Sequence, residues 1–262
     1  MFFKKARNLQ PLLTMLVLSV ALFATFFTEP ALAQGKLIND TITSPSLEGN
    51  LLGDSATRDL TIYLPPSYDT SDMRYPVAYY LPGWGNTTFD PSWDDPFVSS
   101  DDVPEGGLDS MFDDMIAVGD MKEMIIVIPE GDNKYGGAMY TNSEVTGNHE
   151  DYIVQDVVSY IDAHYRTSPN RNSRAIAGHS MGGYGAMKLA MKHPDVFGTV
   201  AAHVPFLYFE GLKPIILSSI GENPNGMTGP SPDKIATSMS YAAAAAFSPN
   251  AENPPFYVDL AF

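Results

Sequence analysis

A strand, a sharp turn and a helix at residues 174–193 constrain this chain more than any other feature. The apolar run at 175–177 leads into Gly178-His-Ser-Met-Gly182, and a helix-forming stretch follows at once. This is the G-x-S-x-G pattern in the strand–turn–helix context that it requires. Glycines are needed because side chains beside the serine would collide in so tight a turn. The pattern predicts that Ser180 is lifted clear of a sheet, at the positive end of a helix dipole.

A serine in such a turn is typical of the nucleophile in acyl transfer. Its hydroxyl reacts poorly at neutral pH unless a base lies within hydrogen-bond reach, and in a triad that base is a histidine oriented by a carboxylate. The tetrahedral intermediate also needs an oxyanion hole of two N–H donors. The first predicted donor is the backbone of Met181, the residue after the nucleophile. The second is predicted in the glycine-rich loop at 82–85, with the N–H of Trp84 preferred and that of Gly85 as the alternative.

Composition narrows the function classes. The 262 residues are 44% apolar and 11% aromatic, which is enough for one α/β domain of ordinary size or two small ones. The net charge of −16 argues against nucleic acid as a partner. The absence of cysteine excludes disulfides, thiolate zinc sites and a cysteine nucleophile. Five aspartates lie between residues 90 and 102, but their spacing is not that of an EF-hand loop, so we predict no metal there.

The N-terminus has the pattern of an export signal. Basic residues occur within the first seven positions, an apolar stretch runs from Leu12 to Phe27, and Ala31-Leu-Ala33 is an A-x-A cleavage site. An uncleaved membrane anchor is the alternative, although the stretch is short for a membrane span. We therefore predict a signal peptide at residues 1–33, a mature domain at 34–262, and a secreted or periplasmic protein with no stable membrane anchor after cleavage.

Strand and helix patterns alternate along the mature chain. Continuous apolar strands of this kind favour a mostly parallel sheet with helices on both faces, which is the α/β class. Around Ile42 and over 47–52 the alternation predicts a weak edge strand. The other predicted strands are 58–64, 75–81, 123–128, 175–177 and 197–203, and the predicted helices are 108–118, 150–165, the stretch after Ser180, and 232–245.

Several motifs together resemble one family. They are Leu60-Thr-Ile-Tyr-Leu-Pro-Pro-Ser-Tyr68, Tyr80-Leu-Pro-Gly83, Tyr140-Thr-Asn142, Gly147-Asn-His-Glu-Asp-Tyr-Ile153, 156–165, Ile176-Ala-Gly-His-Ser-Met-Gly-Gly-Tyr-Gly185, His193-Pro194 and Phe197. In this order they resemble the "Putative esterase" family of the α/β-hydrolase fold, which includes feruloyl and acetylxylan esterases, S-formylglutathione hydrolase and mycolyltransferases. The resemblance implies hydrolysis of a small-molecule or carbohydrate-linked ester through an acyl-serine at Ser180, with no metal and no cofactor.

The chain departs from the family pattern in two places. Pro82-Gly83 stands where the family often has His-Gly. The family's acid and histidine follow the nucleophile on two later strands, whereas here only His193 and His203 follow Ser180. We therefore expect that the chain ends before the last strands of the family fold, and we assign no triad acid. His203 is the possible base, because it ends a predicted strand on the side of the sheet where ligands gather.

The remaining histidines have less to support a catalytic role. His179 lies in the turn and is predicted to pack structurally. His193 is predicted to end the helix that follows the nucleophile, near its C-terminal dipole. His149 and His164 flank a predicted helix and are expected at the surface. Glu150 could line a cleft, but a carboxylate in the first turn of a helix is the preferred interpretation.

Two other functions remain open at this stage. One is acyl transfer to a sugar acceptor instead of water. The other is a non-catalytic ligand-binding protein that keeps the turn but has an incomplete triad. An incomplete sheet would also leave the strand near 199–203 as an open parallel edge, so we expect self-association through that edge.

Overall fold

A computed structural model describes residues 34–85, 107–231 and 233–260. The strands are β1 (Lys36–Thr43), β2 (Thr57–Leu64), β3 (Val77–Leu81), β4 (Ile125–Pro129), β5 (Asn142–Ser143), β6 (Gly147–Asn148), β7 (Arg174–His179) and β8 (Thr199–His203). The helices are α1 (Gly107–Ala117), α2 (His149–Asp151, Tyr152–Val157 and Val158–His164 in succession), α3 (Met181–Lys192), α4 (Leu212–Glu222) and α5 (Ile235–Phe247). Short 3₁₀ turns occupy Pro45–Leu47, Tyr68–Thr70, Arg171–Ser173 and Phe209–Gly211.

The main sheet of the described residues has six strands in the order β1-β2-β4-β3-β7-β8. The first two pairings, β1 with β2 and β2 with β4, are antiparallel. The pairings of β4 with β3, β3 with β7 and β7 with β8 are all parallel. The predicted mostly parallel sheet is thus confirmed. Within the described part of the chain β8 pairs on one side only, so it forms the edge that the sequence predicted.

Successive side chains of each strand point to opposite faces of the sheet, so apolar side chains lie on both faces. Helices cover both of these faces. One face packs against α2 and α3, with the buried residues Ile62, Tyr79, Leu81, Ile125 and Val127 facing Tyr152, Ile153, Ile161, Ala186 and Leu189. The other face packs against α1, with Tyr63, Ile126 and Ile128 facing Leu108, Phe112 and Ile116. The strand register therefore brings the carboxyl ends of β3 and β7 together under one layer of helices.

Two regions differ from the predicted elements. Residues 47–52 do not form an edge strand, because Leu47 is fully buried in a 3₁₀ turn. The Asn50 amide closes the turn that follows, donating to the carbonyl of Leu47 at 2.9 Å and accepting from the N–H of Asp54 at 2.9 Å. Helix α4 was not predicted, because Pro214 and Gly221 interrupt the helical pattern within it.

Helix α2 is not the regular helix that its apolar spacing predicted. Its middle segment, Tyr152–Val157, is π-helical. The wider turn allows three consecutive side chains, those of Tyr152, Ile153 and Val154, to be buried together.

Some predictions fall on residues that the structure does not describe. The predicted signal peptide at 1–33 and the aspartates between 90 and 102 lie outside the described residues. The domain boundary at residue 33 stays a prediction. Over the described ranges, none of the helices combines the length and the apolar character that crossing a membrane requires.

Candidate active site

Ser180 occupies the turn between β7 and α3. Its backbone has φ 54° and ψ −117°, a region that residues with a side chain rarely adopt. The flanking glycines are required by close contacts. A Cβ on Gly182 would lie 1.9 Å from the carbonyl oxygen of Leu81, and one on Gly178 would lie 2.3 Å from that of Gly182. The predicted reason for both glycines therefore agrees with the structure.

Backbone hydrogen bonds hold Ser180 on both sides. Its N–H donates to the carbonyl of His203 at 3.0 Å. Its carbonyl accepts from the N–H of Tyr184 at 3.0 Å, and this is the first hydrogen bond of helix α3. The side chain is half-buried. Its hydroxyl makes no hydrogen bond to any residue that the structure describes. The turn thus presents a hydroxyl that is held in place by the backbone alone.

His203 is the last residue of β8, directly opposite His179 in β7. The two rings lie side by side, with their centroids 5.2 Å apart. The ring of His203 is exposed, whereas that of His179 is half-buried, in keeping with its predicted packing role. The structure therefore brings the backbone of His203 to the nucleophile, while its imidazole lies beside His179.

The side chains of Met181 and Trp84, the residues that carry the two preferred oxyanion donors, contact one turn of the loop after β4. Met181 is the first residue of α3, so its backbone N–H has no acceptor within the helix. Trp84 follows β3. A Cβ on Gly136 would lie 2.5 Å from Cε2 of Trp84, and one on Gly137 would lie 2.5 Å from Sδ of Met181. The Gly136-Gly137 turn thus contacts both residues.

The alternative donor, Gly85, is wrong. Its N–H donates to the carbonyl of Gly136 at 2.7 Å, so it is already used within the protein. The indole Nε1 of Trp84 likewise donates to the carbonyl of Tyr135, at 3.0 Å. The turn that supplies both acceptors was not predicted, although Gly-Gly next to a Tyr is a visible signal for a close approach of two backbones.

Glu150 lies in the first turn of α2, as the sequence predicted, but it does more than interact with a helix dipole. It is buried and binds three side chains of α3 and its C-cap: Nζ of Lys192 at 2.6 Å, Nε2 of His193 at 2.9 Å and Nζ of Lys188 at 3.1 Å. Burial raises the pKa of this carboxyl, but the hydrogen bonds from Lys192, His193 and Lys188 outweigh it and hold the pKa at about 2. Glu150 is therefore an ionised anchor between two helices.

Lys188 extends this anchor to the loop that carries the Gly-Gly turn. Its Nζ donates to the carbonyl of Tyr140 at 2.9 Å and to Oγ1 of Thr141 at 2.8 Å. Burial lowers the pKa of Lys188, while the adjacent Glu150 acts in the opposite direction. The cation thus joins α2, α3 and the loop at one point.

His149 corrects an expectation. It was expected at the surface, but it is fully buried. Burial, together with the nearby Arg58 cation, lowers its pKa to about 3, so the imidazole is neutral. Its Nε2 bonds with the carbonyl of Thr146 at 3.1 Å. His164 is exposed as expected and stacks on Tyr160.

A largely apolar cavity of about 390 Å³ opens between α3, α4 and α5. Its walls include Tyr184, Leu212, Ile216, Ala243, Phe247 and Leu260. Tyr184 lies one turn along α3 from the nucleophile, although Ser180 itself does not line the cavity. In the part of the chain that the structure describes, no group of three or more acidic or histidine side chains is placed to hold a metal ion.

Comparisons with known proteins place this geometry in a family context. The family model described as "Putative esterase" matches residues 55–255. An esterase of Mycobacterium tuberculosis is 32% identical over 152 residues, which cover 55% of this chain and 28% of that protein. An endo-1,4-beta-xylanase/feruloyl esterase of Xylanibacter ruminicola is 30% identical over 145 residues, which cover 52% of this chain and 18% of that protein.

Among solved structures, a ferulic acid esterase is 31% identical, with a TM-score of 0.53. The match covers 66% of this chain and 59% of that one. The matches thus cover 28% and 18% of the two bacterial proteins and 59% of the ferulic acid esterase, so the chain spans only part of the length of these relatives.

Proposed function

The chain belongs to the "Putative esterase" family, and on that basis we propose that it is a serine carboxylic-ester hydrolase with Ser180 as its nucleophile. One observation carries the proposal. Ser180 lies in a positive-φ turn at the start of α3, and the residues that would supply the oxyanion hole, Met181 and Trp84, meet at the same Gly-Gly turn.

The proposed reaction has two halves. Oγ of Ser180 attacks the ester carbonyl as a base takes its proton, and the oxyanion accepts hydrogen bonds from the N–H groups of Met181 and Trp84. The C–O bond to the alcohol then breaks, the base returns the proton to the departing alkoxide, and an acyl-serine remains. Water attacks this ester in the same way and releases the carboxylic acid and free Ser180.

His203 is the proposed base. It is the residue whose carbonyl already accepts from the N–H of Ser180, so its Cα is held next to the nucleophile. Its exposed ring leaves room to reorient towards Oγ of Ser180 on substrate binding. His203→Ala should lower kcat at least about a hundredfold, and added imidazole should restore part of it. His179→Ala, which removes the neighbouring ring, is the control, and equal losses in both variants would contradict the assignment.

The test of the function is hydrolysis of a short-chain aryl acetate by the purified protein. Ser180→Ala should abolish turnover and leave the thermal unfolding midpoint unchanged, since the hydroxyl makes no hydrogen bond to the residues that the structure describes. Ser218→Ala on the exposed face of α4 is the matched control and should retain full activity. An unchanged rate in Ser180→Ala would refute the proposal.

A non-catalytic ligand-binding function is the second candidate. The observation that favours it is the hydroxyl of Ser180, which has no histidine partner within the described ranges. Saturable binding of an ester by the unmodified protein, with no release of the alcohol, would support this candidate and contradict hydrolysis.

For the substrate we propose a small-molecule or carbohydrate-linked ester. The names of the matching ferulic acid esterase and of the xylanase/feruloyl esterase support this class. A comparison of methyl ferulate with methyl butanoate tests it, because a preference for the aryl ester favours an aromatic acyl group. Product analysis with a free sugar present would distinguish hydrolysis from acyl transfer to that sugar.

Export and self-association also remain proposals. The basic, apolar and A-x-A segments within residues 1–33 support cleavage before Gln34, which mass spectrometry of the exported protein would test. The β8 edge supports self-association, because Val200 and Val204 beside it are 39% and 68% exposed. A monodisperse monomer in sedimentation velocity would count against it.

A further inference from the structure

The turn that contacts both oxyanion donors is organised by a single side chain. Oδ1 of Asn133 accepts hydrogen bonds from the N–H of Tyr135 at 2.8 Å and from the N–H of Gly137 at 3.1 Å. The carbonyl of the same residue accepts from the N–H of Gly136 at 2.8 Å. Three successive amides of the turn therefore point back to Asn133, which is 9% exposed.

Because the amides point inwards, the carbonyls of the turn are free to bind the neighbouring loop. The carbonyl of Tyr135 accepts from the indole Nε1 of Trp84 at 3.0 Å. The carbonyl of Gly136, the next residue, accepts from the N–H of Gly85 at 2.7 Å. The side chain of Trp84 and the peptide that follows it are thus both fixed by this one turn.

The turn also sets the space between the two proposed donors. Gly136 and Gly137 have φ of +82° and +158°, and each lies against a donor residue. A Cβ on Gly137 would lie 2.5 Å from Sδ of Met181 and 3.2 Å from Cδ1 of Trp84. Loss of the turn would therefore displace Trp84 relative to Met181. A displacement of about 1 Å is enough to weaken an oxyanion hole.

We propose that Asn133 is a positioning residue for the oxyanion hole: by organising the 133–137 turn, it holds the backbone N–H of Trp84 where it reaches the oxyanion formed at Ser180. This inference rests on the proposed function. Asn133 acts through the turn and Trp84, because its Oδ1 is occupied by the N–H groups of Tyr135 and Gly137. Its Nδ2 has no partner among the residues that the structure describes, so the acceptor Oδ1 is the atom that matters.

Two substitutions separate the acceptor from the rest of the side chain. Asn133→Ala removes both hydrogen bonds to the turn. Asn133→Asp keeps an oxygen in the position of Oδ1 and replaces the unpaired Nδ2 with a second carboxylate oxygen. The matched control is Asn170→Ala, because Asn170 makes the same kind of local bond, to the N–H of Asn172 at 3.1 Å, away from the site.

The first readout does not need turnover. In ¹⁵N-labelled protein carrying Trp93→Phe, the indole N–H signal belongs to Trp84 alone, since the chain has two tryptophans. Asn133→Ala should shift this signal and speed its exchange with solvent, because the carbonyl of Tyr135 moves away. Asn133→Asp should keep the slow exchange of this signal, because the bond from the indole to the carbonyl of Tyr135 remains, and Asn170→Ala should leave the signal where it is.

The second readout reports on the oxyanion. Sulfur accepts hydrogen bonds weakly, so a thionoester gains less from the oxyanion donors than the corresponding ester does. The ratio of kcat for the ester to kcat for the thionoester should fall about tenfold or more in Asn133→Ala, with little change in KM. It should be unchanged in Asn133→Asp and in Asn170→Ala. A role in stability alone would lower both rates equally and leave the ratio intact.

The outcomes are distinguishable. Absence of turnover in the unmodified protein would overturn the proposed function itself. Turnover with an unchanged ratio and an unchanged Trp84 signal in folded Asn133→Ala would overturn the role of Asn133 alone. If Asn133→Ala does not fold, Asn133→Ser, which retains a shorter acceptor, should show both changes in the same direction with smaller size, and no change in either would overturn the inference.

Discussion

Glu150→Gln should destabilise the protein without touching the nucleophile. The carboxylate joins the first turn of α2 to Lys188, Lys192 and His193 at the end of α3. A glutamine has the same shape but no charge, so Lys188 is left buried with its carbonyl and hydroxyl acceptors and without its counter-ion. Removal of one member of a buried ion pair is costly because the remaining charge is uncompensated.

The pKa of Glu150 sets the magnitude. It lies at about 2, against an ordinary value of 4.5, because three hydrogen bonds to the charged form outweigh burial. That difference corresponds to at most about 3 kcal/mol of folding free energy at neutral pH. The exposed partner Lys192 is screened by solvent, so we expect a loss of about 2 kcal/mol. In a domain of this size, the thermal midpoint should fall by about 4–8 °C.

The sign of the pH dependence follows from the same shift. A carboxyl with a depressed pKa stabilises the folded state above the unfolded-state value of 4.5 and loses that contribution as the pH falls towards about 2. The stability difference between the unmodified protein and Glu150→Gln should therefore be full at pH 7 and shrink below about pH 4.5.

Thermal and urea unfolding, followed by circular dichroism at pH 7 and pH 3.5, is the assay. Lys192→Gln is the control, since it removes a half-exposed partner and leaves Lys188 paired, and it should cost less than about 1 kcal/mol. A midpoint for Glu150→Gln within about 1 °C of the unmodified protein at pH 7, or a loss that is the same at both pH values, would refute the reasoning.

Two further predictions concern the turn and the buried histidine. Gly182→Ala should prevent or severely impair folding, because its Cβ would lie 1.9 Å from the carbonyl oxygen of Leu81. The control is Gly221→Ala in α4, where nothing lies within 4 Å of the added Cβ, and it should stabilise the protein by up to about 1 kcal/mol. Thermal melts of the two variants test both expectations. The ring signals of His149 in NMR should not titrate between pH 7 and 4.5, because burial and Arg58 lower its pKa to about 3. As the pH is lowered from 7 to 4.5, the unfolded state binds a proton at His149 and the folded state does not. The free energy of unfolding should therefore decrease over that range by up to about 1.4 kcal/mol per pH unit. A His149 titration near pH 6.5 would contradict this assignment.

The strand, turn and helix at 174–193, here called the elbow, could be predicted because the information that determines them is local. The tight turn needs glycines at fixed offsets from Ser180, and the helix that follows starts at once, so five residues and their flanks determine the geometry. The parallel core was predictable for a similar reason, since β3, β4 and β7 are short apolar runs that only a covered sheet can bury.

The site around the elbow depends on contacts that no local pattern reveals. Gly85 was a reasonable donor until the structure showed its amide bonded to Gly136, far along the chain. His149 has polar neighbours in sequence and was expected to be exposed, but the 3₁₀ turn at Pro45–Leu47 packs beside the start of α2, and His149 is buried there. In both cases a segment distant in sequence decided the environment.

The bond between the N–H of Ser180 and the carbonyl of His203 has a mechanical consequence. That carbonyl belongs to the last residue of the edge strand β8, and a Cβ on Gly183 would lie 2.9 Å from it, so it is also wedged against α3. The nucleophile is therefore tethered to one of the two edge strands of the main sheet, β1 and β8, whose outer sides are open among the described residues. A chain that joined this edge would pull on the serine backbone without approaching the substrate.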